Sequence, residues 1–220
     1  MTRFTISHHA QGSPEWFKER MGLVTGSEVS ALYAKAKSDR GDSKTRAGYM
    51  RRIVLERLGV PSKDNSFRSP SMAWGNATEP RARLAFEART GYVVREAGFC
   101  KLNRLAAGCS VDAFIHGDEI SARRLGVLEL KCPDSKTHLL YLEDRTVPTI
   151  YVPQITHNLW VTGAQFAKFV SFDPRFPPDM RLLIVHVERD DAAIREHETL
   201  VRQFLMETDA HEKQMRLCAA

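Results

Sequence analysis

Leu125-Gly-Val-Leu-Glu-Leu-Lys-Cys-Pro133 is the stretch on which the fold turns. Its branched apolar residues, set between turn-forming segments, predict a strand. Alternate side chains of a strand share a face, so Leu128, Leu130 and Cys132 point one way and Val127, Glu129 and Lys131 the other. One face is wholly apolar, and the other sets a carboxylate beside an ammonium inside what should be a central strand. Buried charges are costly unless paired or bound to metal. A strand-face ion pair is the plain reading of any acid-x-Lys tripeptide. Two others, Asp42-Ser43-Lys44 and Asp134-Ser135-Lys136, lie in polar surroundings where solvation explains them. Only Glu129 and Lys131 have an apolar strand around them.

Outward from that strand, segments 92–102 and 105–115 are also rich in Val, Leu, Ile and Phe and predict strands, as do Gln165–Phe172 and Arg181–Glu188. Helices are expected around 135–145 and 152–162, with a long amphipathic one over 191–216. The first third reads as helices broken by polar loops. Ser13-Pro14-Glu15 starts one that Gly22 stops, and Thr25-Gly26-Ser27 precedes another over Glu28 to about Lys35. Polar loops are expected over Lys35–Lys44 and Pro61–Pro70. Thr45–Leu58 carries an apolar stripe of Tyr49, Met50, Ile53, Val54 and Leu58, with Arg46, Arg51, Arg52 and Arg57 mostly off it. Ser71–Thr90 is helical by composition and ends at Gly91, with a kink at Pro80 or a fresh start near Thr78. Helices first, then a sheet with helices against it, predict an α/β (α+β) domain with a helical N-terminal segment.

A length of 220 residues, 43% hydrophobic and 27% charged, describes a globular chain and excludes disorder, a collagenous repeat and a disulfide scaffold. The expectation is one domain over 1–220: a helical part to about 90, a catalytic sheet core over about 91–190, and the C-terminal helix. The net charge of +5 is compatible with a polyanionic partner and proves none. Cys100, Cys109, Cys132 and Cys218 form no C-x-x-C pair. No leader or membrane span is read, so a cytoplasmic location is expected. There is no H-E-x-x-H, no G-x-S-x-G and no Walker sequence, which leaves zinc-protease, serine-hydrolase and NTPase chemistry without support.

Asp112 gives the Glu129–Lys131 strand its chemical interest. It is the isolated acid of Ala107-Gly-Cys-Ser-Val-Asp-Ala-Phe-Ile115, and a turn at His116 to Glu119 would bring it back beside Glu129. Asp and Glu from neighbouring strands, with Lys two residues on, form the arrangement of a metal-dependent phosphodiesterase. Mg²⁺ takes hard oxygen ligands, and a lysine beside the attacking water favours hydroxide. An Asx turn is the other reading of Asp112. Glu79, after Ala73-Trp74-Gly75, is a third acid for a two-metal site or a surface glutamate near a helix start. Gln154, at the head of an apolar helix, either orders the site or is solvated. Ser27 opens a helix, where free N–H groups favour anions, and Arg20 folds back as a clamp on the same anion. An ordinary cap and a surface arginine is the alternative.

Taken in order, these stretches resemble the bacteriophage lambda exonuclease family, the YqaJ-type viral recombinases within the restriction-endonuclease-like PD-(D/E)xK nucleases. The stretches are Trp16…Arg20-Met-Gly-Leu-Val-Thr-Gly-Ser27-Glu-Val, Ala73-Trp-Gly-Asn-Ala-Thr-Glu79 and Cys109-Ser-Val-Asp112. They continue as Leu128-Glu-Leu-Lys-Cys-Pro133, Gln154…Leu159-Trp-Val-Thr162 and Phe172-Asp-Pro-Arg175. The resemblance implies a restriction-endonuclease-like core, a central mixed sheet flanked by helices. It implies a processive 5′-to-3′ exonuclease on double-stranded DNA ends, releasing 5′-mononucleotides and leaving a 3′ single strand. Asp112, Glu129 and the Leu130 carbonyl would ligate Mg²⁺ (Mn²⁺ in substitution), with Glu79 near a second ion. Lys131 would assist the water and Gln154 support the site.

By the same resemblance, Arg20, Ser27 and Ser110 would hold the 5′-phosphate, and Met72 is a wedge at the duplex fork or a core residue. A homotrimeric ring, a single-strand annealing protein as partner, and a phage or prophage gene in a bacterial host follow from the family. A sequence- or structure-specific endonuclease of the same superfamily and a non-catalytic DNA-end-binding module are the other readings. Val111 stands where the broad signature has Pro, Pro80 directly follows Glu79, and His157 replaces a frequent tyrosine.

Overall fold

Arg124–Lys131 is extended along its whole length and has a hydrogen-bonded neighbour on each side in a five-stranded sheet. The structure, a computed structural model, describes residues 3–35, 43–60, 69–117 and 124–218. Most of the polar runs expected at 35–44 and 61–70, and most of the turn after His116, lie outside these residues. In chain order the elements are β1 (Phe4–Ile6), α1 (Pro14–Arg20), β2 (Val24–Thr25), a 3₁₀ turn (Val29–Tyr33), α2 (Lys44–Arg57) and α3 (Pro70–Thr90). Then come β3 (Val93–Arg95), β4 (Cys100–Leu102), β5 (Ala107–Cys109), β6 (Ala113–His116), β7 (Arg124–Lys131) and α4 (Ser135–Asp144). A second 3₁₀ turn (Thr149–Tyr151), α5 (Val152–Thr162), β8 (Phe166–Phe172), β9 (Leu182–Glu188) and α6 (Asp191–Cys218) complete it.

The large sheet has the order β3-β6-β7-β8-β9, with β7 and β8 parallel and the other pairs antiparallel. A parallel pair needs a long crossover, and α4 and α5 supply it. The alternation read in β7 holds. Val127 packs with Phe169, Leu159, Trp160 and Phe204 on one face, and Leu128 and Leu130 pack with Val170, Ala82 and Phe86 on the other.

A second sheet, β1-β4-β5-β2, departs from the expectation. Segments 92–102 and 105–115 each read as one strand, and each is two, shared between the sheets. The chain leaves the large sheet after Arg95 and enters the small one at Cys100; it leaves the small one after Cys109 and re-enters the large at Ala113. Apolar content marks a strand without naming its partner, so the breaks at 96–99 and 110–112 were invisible. The helical N-terminal part also contributes β1 and β2.

Gly98 makes the first crossing possible. A Cβ there would stand 1.9 Å from the Ser7 carbonyl oxygen, where Ser7 N–H donates to the Phe99 carbonyl at 2.8 Å. Because backbone cannot yield as a side chain does, Gly98→Ala is expected to cost about 3 kcal/mol. A urea midpoint within error of the unaltered protein would refute that.

Helix ends follow the caps. Ser13 accepts from Trp16 N–H and Ser69 from Met72 N–H, while Gly91 and Gly163 close α3 and α5 in the left-handed region. α3 runs unbroken through Pro80, so neither a restart at Thr78 nor an end there occurs. Pro80 and Asn76, whose carbonyl loses its helical partner to the ring, are both exposed, so water replaces the missing bond. The helix expected after Ser27 is only the 3₁₀ turn, capped by Glu28 without a side-chain bond. Arg46, expected off the apolar face of α2, is buried, paired to Glu207 at 2.7 Å with its guanidinium over Phe204. Leu58 is exposed at the end of α2.

Candidate active site

The second crossing places Asp112 between β5 and β6, just where pairing with β7 begins. Its N–H donates to the Leu128 carbonyl at 3.2 Å, and its Oδ2 accepts from Leu130 N–H at 2.5 Å. The side chain thus extends the ladder along β7 and lies beside Glu129. Glu129 is fully buried, and its two oxygens are taken by three donors. Oε1 accepts from Lys131 Nζ and, at 2.7 Å, from Gln154 Nε2; Oε2 accepts from Asn158 Nδ2 at 2.9 Å. Gln154 and Asn158 are one turn apart on α5, so one helix face grips one carboxylate.

These charges are strongly coupled. Burial pushes the Glu129 carboxyl up to about 7; Lys131 opposes the shift and Asp112 adds to it. Asp112 is raised by burial against the pull of Lys131, the Leu130 N–H and Arg83. Burial works against the Lys131 ammonium, but Glu129 and Asp112 outweigh it and hold the lysine charged, with the Tyr151 ring 5.0 Å from its Nζ. On α3, the half-buried Glu79 is pushed up to about 7 by burial and then by Asp112. The next thiol, Cys132, is pushed up to about 12 by burial, Glu79 and Asp112.

Among the described residues no three His, Cys, Asp or Glu side chains form a group able to hold a metal ion by themselves. A backbone oxygen would have to complete the set, and Leu130, which follows Glu129 in β7 and whose N–H bonds Asp112, carries one. An all-oxygen donor set with carboxyls driven toward their neutral forms fits a hard divalent cation, which would relieve the excess negative charge.

A cleft of about 1540 Å³ opens at the site, lined by Asp112, Glu79, Asn76, Met72, Arg20 and Ser27 among others. Glu129, Lys131, Gln154 and Ser110 do not line it. Met72, 54% exposed, is not a core residue. Arg20 Nη2 donates to Ser27 Oγ at 3.0 Å, and the guanidinium stacks 3.9 Å over the Trp16 ring. Burial lowers the Arg20 pKa, Tyr49, Glu28 and Glu56 opposing it.

The register sets Ser27 and Ser110 on adjoining stretches of chain. β2 pairs in parallel with β5, Thr25 opposite Gly108, so the next residues lead Gly26 toward Cys109 and Ser27 toward Ser110. The buried Tyr49 hydroxyl anchors this junction by accepting from Thr25 N–H at 3.0 Å. Arg20 Nε and Ser110 Oγ are buried and have no partner among the described residues.

Sequence reasoning missed Asn158. Its spacing of four from Gln154 was the available signal, but an amide among apolar helix residues says nothing about which strand it faces. The hydrogen-bonded chain of Tyr33, His197 and His157 also escaped notice, because its members are far apart in sequence.

Asp112, Glu129 and Lys131 thus gather at the end of a central strand, Glu129 buried and Asp112 facing the cleft that Arg20 and Ser27 also line. The chain belongs to the YqaJ-like viral recombinase domain family, whose model matches residues 15–165. An alkaline exonuclease (LHK-Exo) from Laribacter hongkongensis is 31% identical with a TM-score of 0.82, over 94% of this chain and 98% of that one. The LHK-Exo complex with dAMP is 32% identical at the same TM-score and coverage. A phage related exonuclease from Haemophilus somnus 129PT, 16% identical with a TM-score of 0.67, covers 88% of this chain and 96% of its own and shares the fold. No curated protein matches the chain. Among the described residues no helix is long and apolar enough to cross a membrane.

Proposed function

We propose that the protein is a Mg²⁺-dependent exonuclease that degrades one strand of duplex DNA from its 5′ end, releasing 5′-mononucleotides. The likeness to an alkaline exonuclease over nearly the whole of both chains supports a DNA exonuclease, and the Asp112–Glu129–Lys131 cluster carries the chemistry. Asp112, Glu129 and the Leu130 carbonyl would hold Mg²⁺ (or Mn²⁺), with Glu79 at a second ion; the ions would supply Lewis-acid polarisation of the phosphate and an acidified water.

The chain's own groups do the rest. Gln154 and Asn158 fix both oxygens of Glu129. Lys131 Nζ remains charged beside Glu129 and offers N–H donors to negative charge developing on the phosphate. Arg20, Ser27 and Ser110 grip the terminal 5′-phosphate, which sets the scissile bond one nucleotide in. Met72, exposed on the cleft wall, is a wedge between the strands. Processive degradation needs enclosure, for which a homotrimeric ring is proposed, and the remaining 3′ strand passes to a single-strand annealing protein.

Digestion of linear, nicked and covalently closed circular DNA with and without Mg²⁺ tests the reading. Linear DNA should be degraded only with the cation and the closed circle left intact; a cut circle would indicate an endonuclease. For the pocket, Arg20→Ala is expected to abolish the preference for 5′-phosphorylated over 5′-hydroxyl ends, a loss of roughly tenfold or more in relative rate. Equal rates on both ends in the unaltered protein would remove that role.

A further inference from the structure

Behind the site lies a fully hydrogen-bonded chain that the proposed chemistry does not use. Tyr33 Oη is 2.6 Å from His197 Nδ1, His197 Nε2 is 2.9 Å from His157 Nδ1, and His157 Nε2 is 3.0 Å from the Gly108 carbonyl oxygen. Both histidines are buried to 1% exposure or less, and the Trp160 ring meets each of them edge-on.

Chemistry fixes the direction of this chain. A carbonyl only accepts, so the His157 hydrogen is on Nε2 and its Nδ1 accepts. His197 must then donate through Nε2, which leaves its Nδ1 to accept from the Tyr33 hydroxyl. The two neutral rings satisfy every polar atom, and burial holds both neutral, His157 down to about 3 and His197 to about 4.

The chain spans four elements: the 3₁₀ turn after Ser27, α6, α5 and β5. Its inner end, His157 and Gly108, adjoins both halves of the site. Asn158, next to His157, donates to Glu129, and Gly108 lies two residues before Ser110. Gly26 closes the gap between the halves, since a Cβ there would stand 2.8 Å from Asn158 Oδ1. That oxygen is itself buried with no partner among the described residues, so the Asn158 side chain is held by its single bond to Glu129 and by close packing against Gly26.

We infer that Tyr33, His197 and His157 are positioning residues that lock α5, and with it Asn158 and Glu129, in register with the strand and turn that carry Ser110 and Ser27. They touch no reacting atom. Their effect on turnover rests on the nuclease reading, whereas the direction of the hydrogen bonds does not.

The test compares Tyr33→Phe, His197→Leu and His197→Gln with the unaltered protein in degradation of linear duplex DNA, alongside ¹⁵N–¹H spectra of the histidine rings. The rings should show the Nε2–H tautomer at both His157 and His197 at neutral pH. Tyr33→Phe and His197→Leu should lower kcat about tenfold and leave KM for DNA ends within about twofold, as expected of a misplaced catalytic carboxylate. His197→Gln, which returns a donor where Nε2 stood, should recover most of that rate. An Nδ1–H tautomer at His157, an unchanged kcat in Tyr33→Phe, or a glutamine variant no better than the leucine one would overturn the inference. If His197→Leu does not fold, Tyr33→Phe decides, because it deletes one oxygen from a side chain that is 43% exposed. An unaltered protein with these tautomers that degrades no DNA would remove the nuclease reading, and with it the role in turnover, while the chain itself stood.

Discussion

Asp112→Asn should reduce DNA degradation by about a thousandfold, the scale of losing a principal charge at a metal-assisted transition state. The substitution is nearly isosteric. Its amide oxygen still faces the Leu130 N–H that Asp112 Oδ2 now accepts at 2.5 Å, so the join between β6 and β7 should persist. What disappears is the negative charge, a buried one that pushes up both Glu129 and Glu79. Relief of that repulsion predicts a melting temperature equal to or above that of the unaltered protein. Inactivity with intact folding and intact binding of DNA ends is the expected combination. Full activity in Asp112→Asn would sink the assignment of the site.

The second large effect is thermodynamic. Saturating Mg²⁺ at pH 8, on the order of a hundred times its dissociation constant, should stabilise the protein by about 2–3 kcal/mol, a rise of roughly 5–10 °C in melting temperature. At pH 5.5 the rise should shrink toward zero. Glu129 and Glu79 titrate near 7 in the folded protein against 4.5 as free groups, so protons compete with the cation below pH 7. Between 4.5 and 7 the unfolded chain releases these protons first, and the metal-free fold loses stability as the pH rises. His157 and His197 act in the opposite sense. Their folded values of about 3 and 4 lie below the usual 6.5, so their contribution is present above 6.5 and lost as the pH falls. The difference made by Mg²⁺ at each pH isolates the carboxyls from the histidines. A rise as large at pH 5.5 as at pH 8, or one that survives Asp112→Asn, would count against these ligands.

Local chemistry made much of the fold legible. Ser13 as a cap, Gly91 as a terminator and the two-residue alternation of β7 all act within a few residues and appear where they were read. Partner choice was not legible. The run from 105 to 115 is mostly apolar, yet Cys109 pairs with Cys100 in one sheet and Ala113 with Leu128 in the other, because the break at Ser110–Asp112 is set by tertiary pairing. Asp112 and Glu129 stood out because charge amid apolar strands is costly. Arg46 and Asn158 did not, since their partners, Glu207 and Glu129, lie 161 and 29 residues away in sequence. Arg20 and Ser27 are hydrogen-bonded to each other, and Ser27 lies between a two-residue strand and a 3₁₀ turn rather than at the head of an α-helix.

The ion pair inside β7 has a bearing on the chain before it folds. With eight residues, β7 is the longest strand of the described residues, and apolar strand segments associate when newly made chains expose them. Glu129 and Lys131 interrupt it as gatekeepers, one of each sign, and keep a nascent Leu-rich segment soluble until α5 covers it. Replacing both by leucine would remove two buried charges from the native interior and, in exchange, leave an uninterrupted aggregation-prone segment during synthesis.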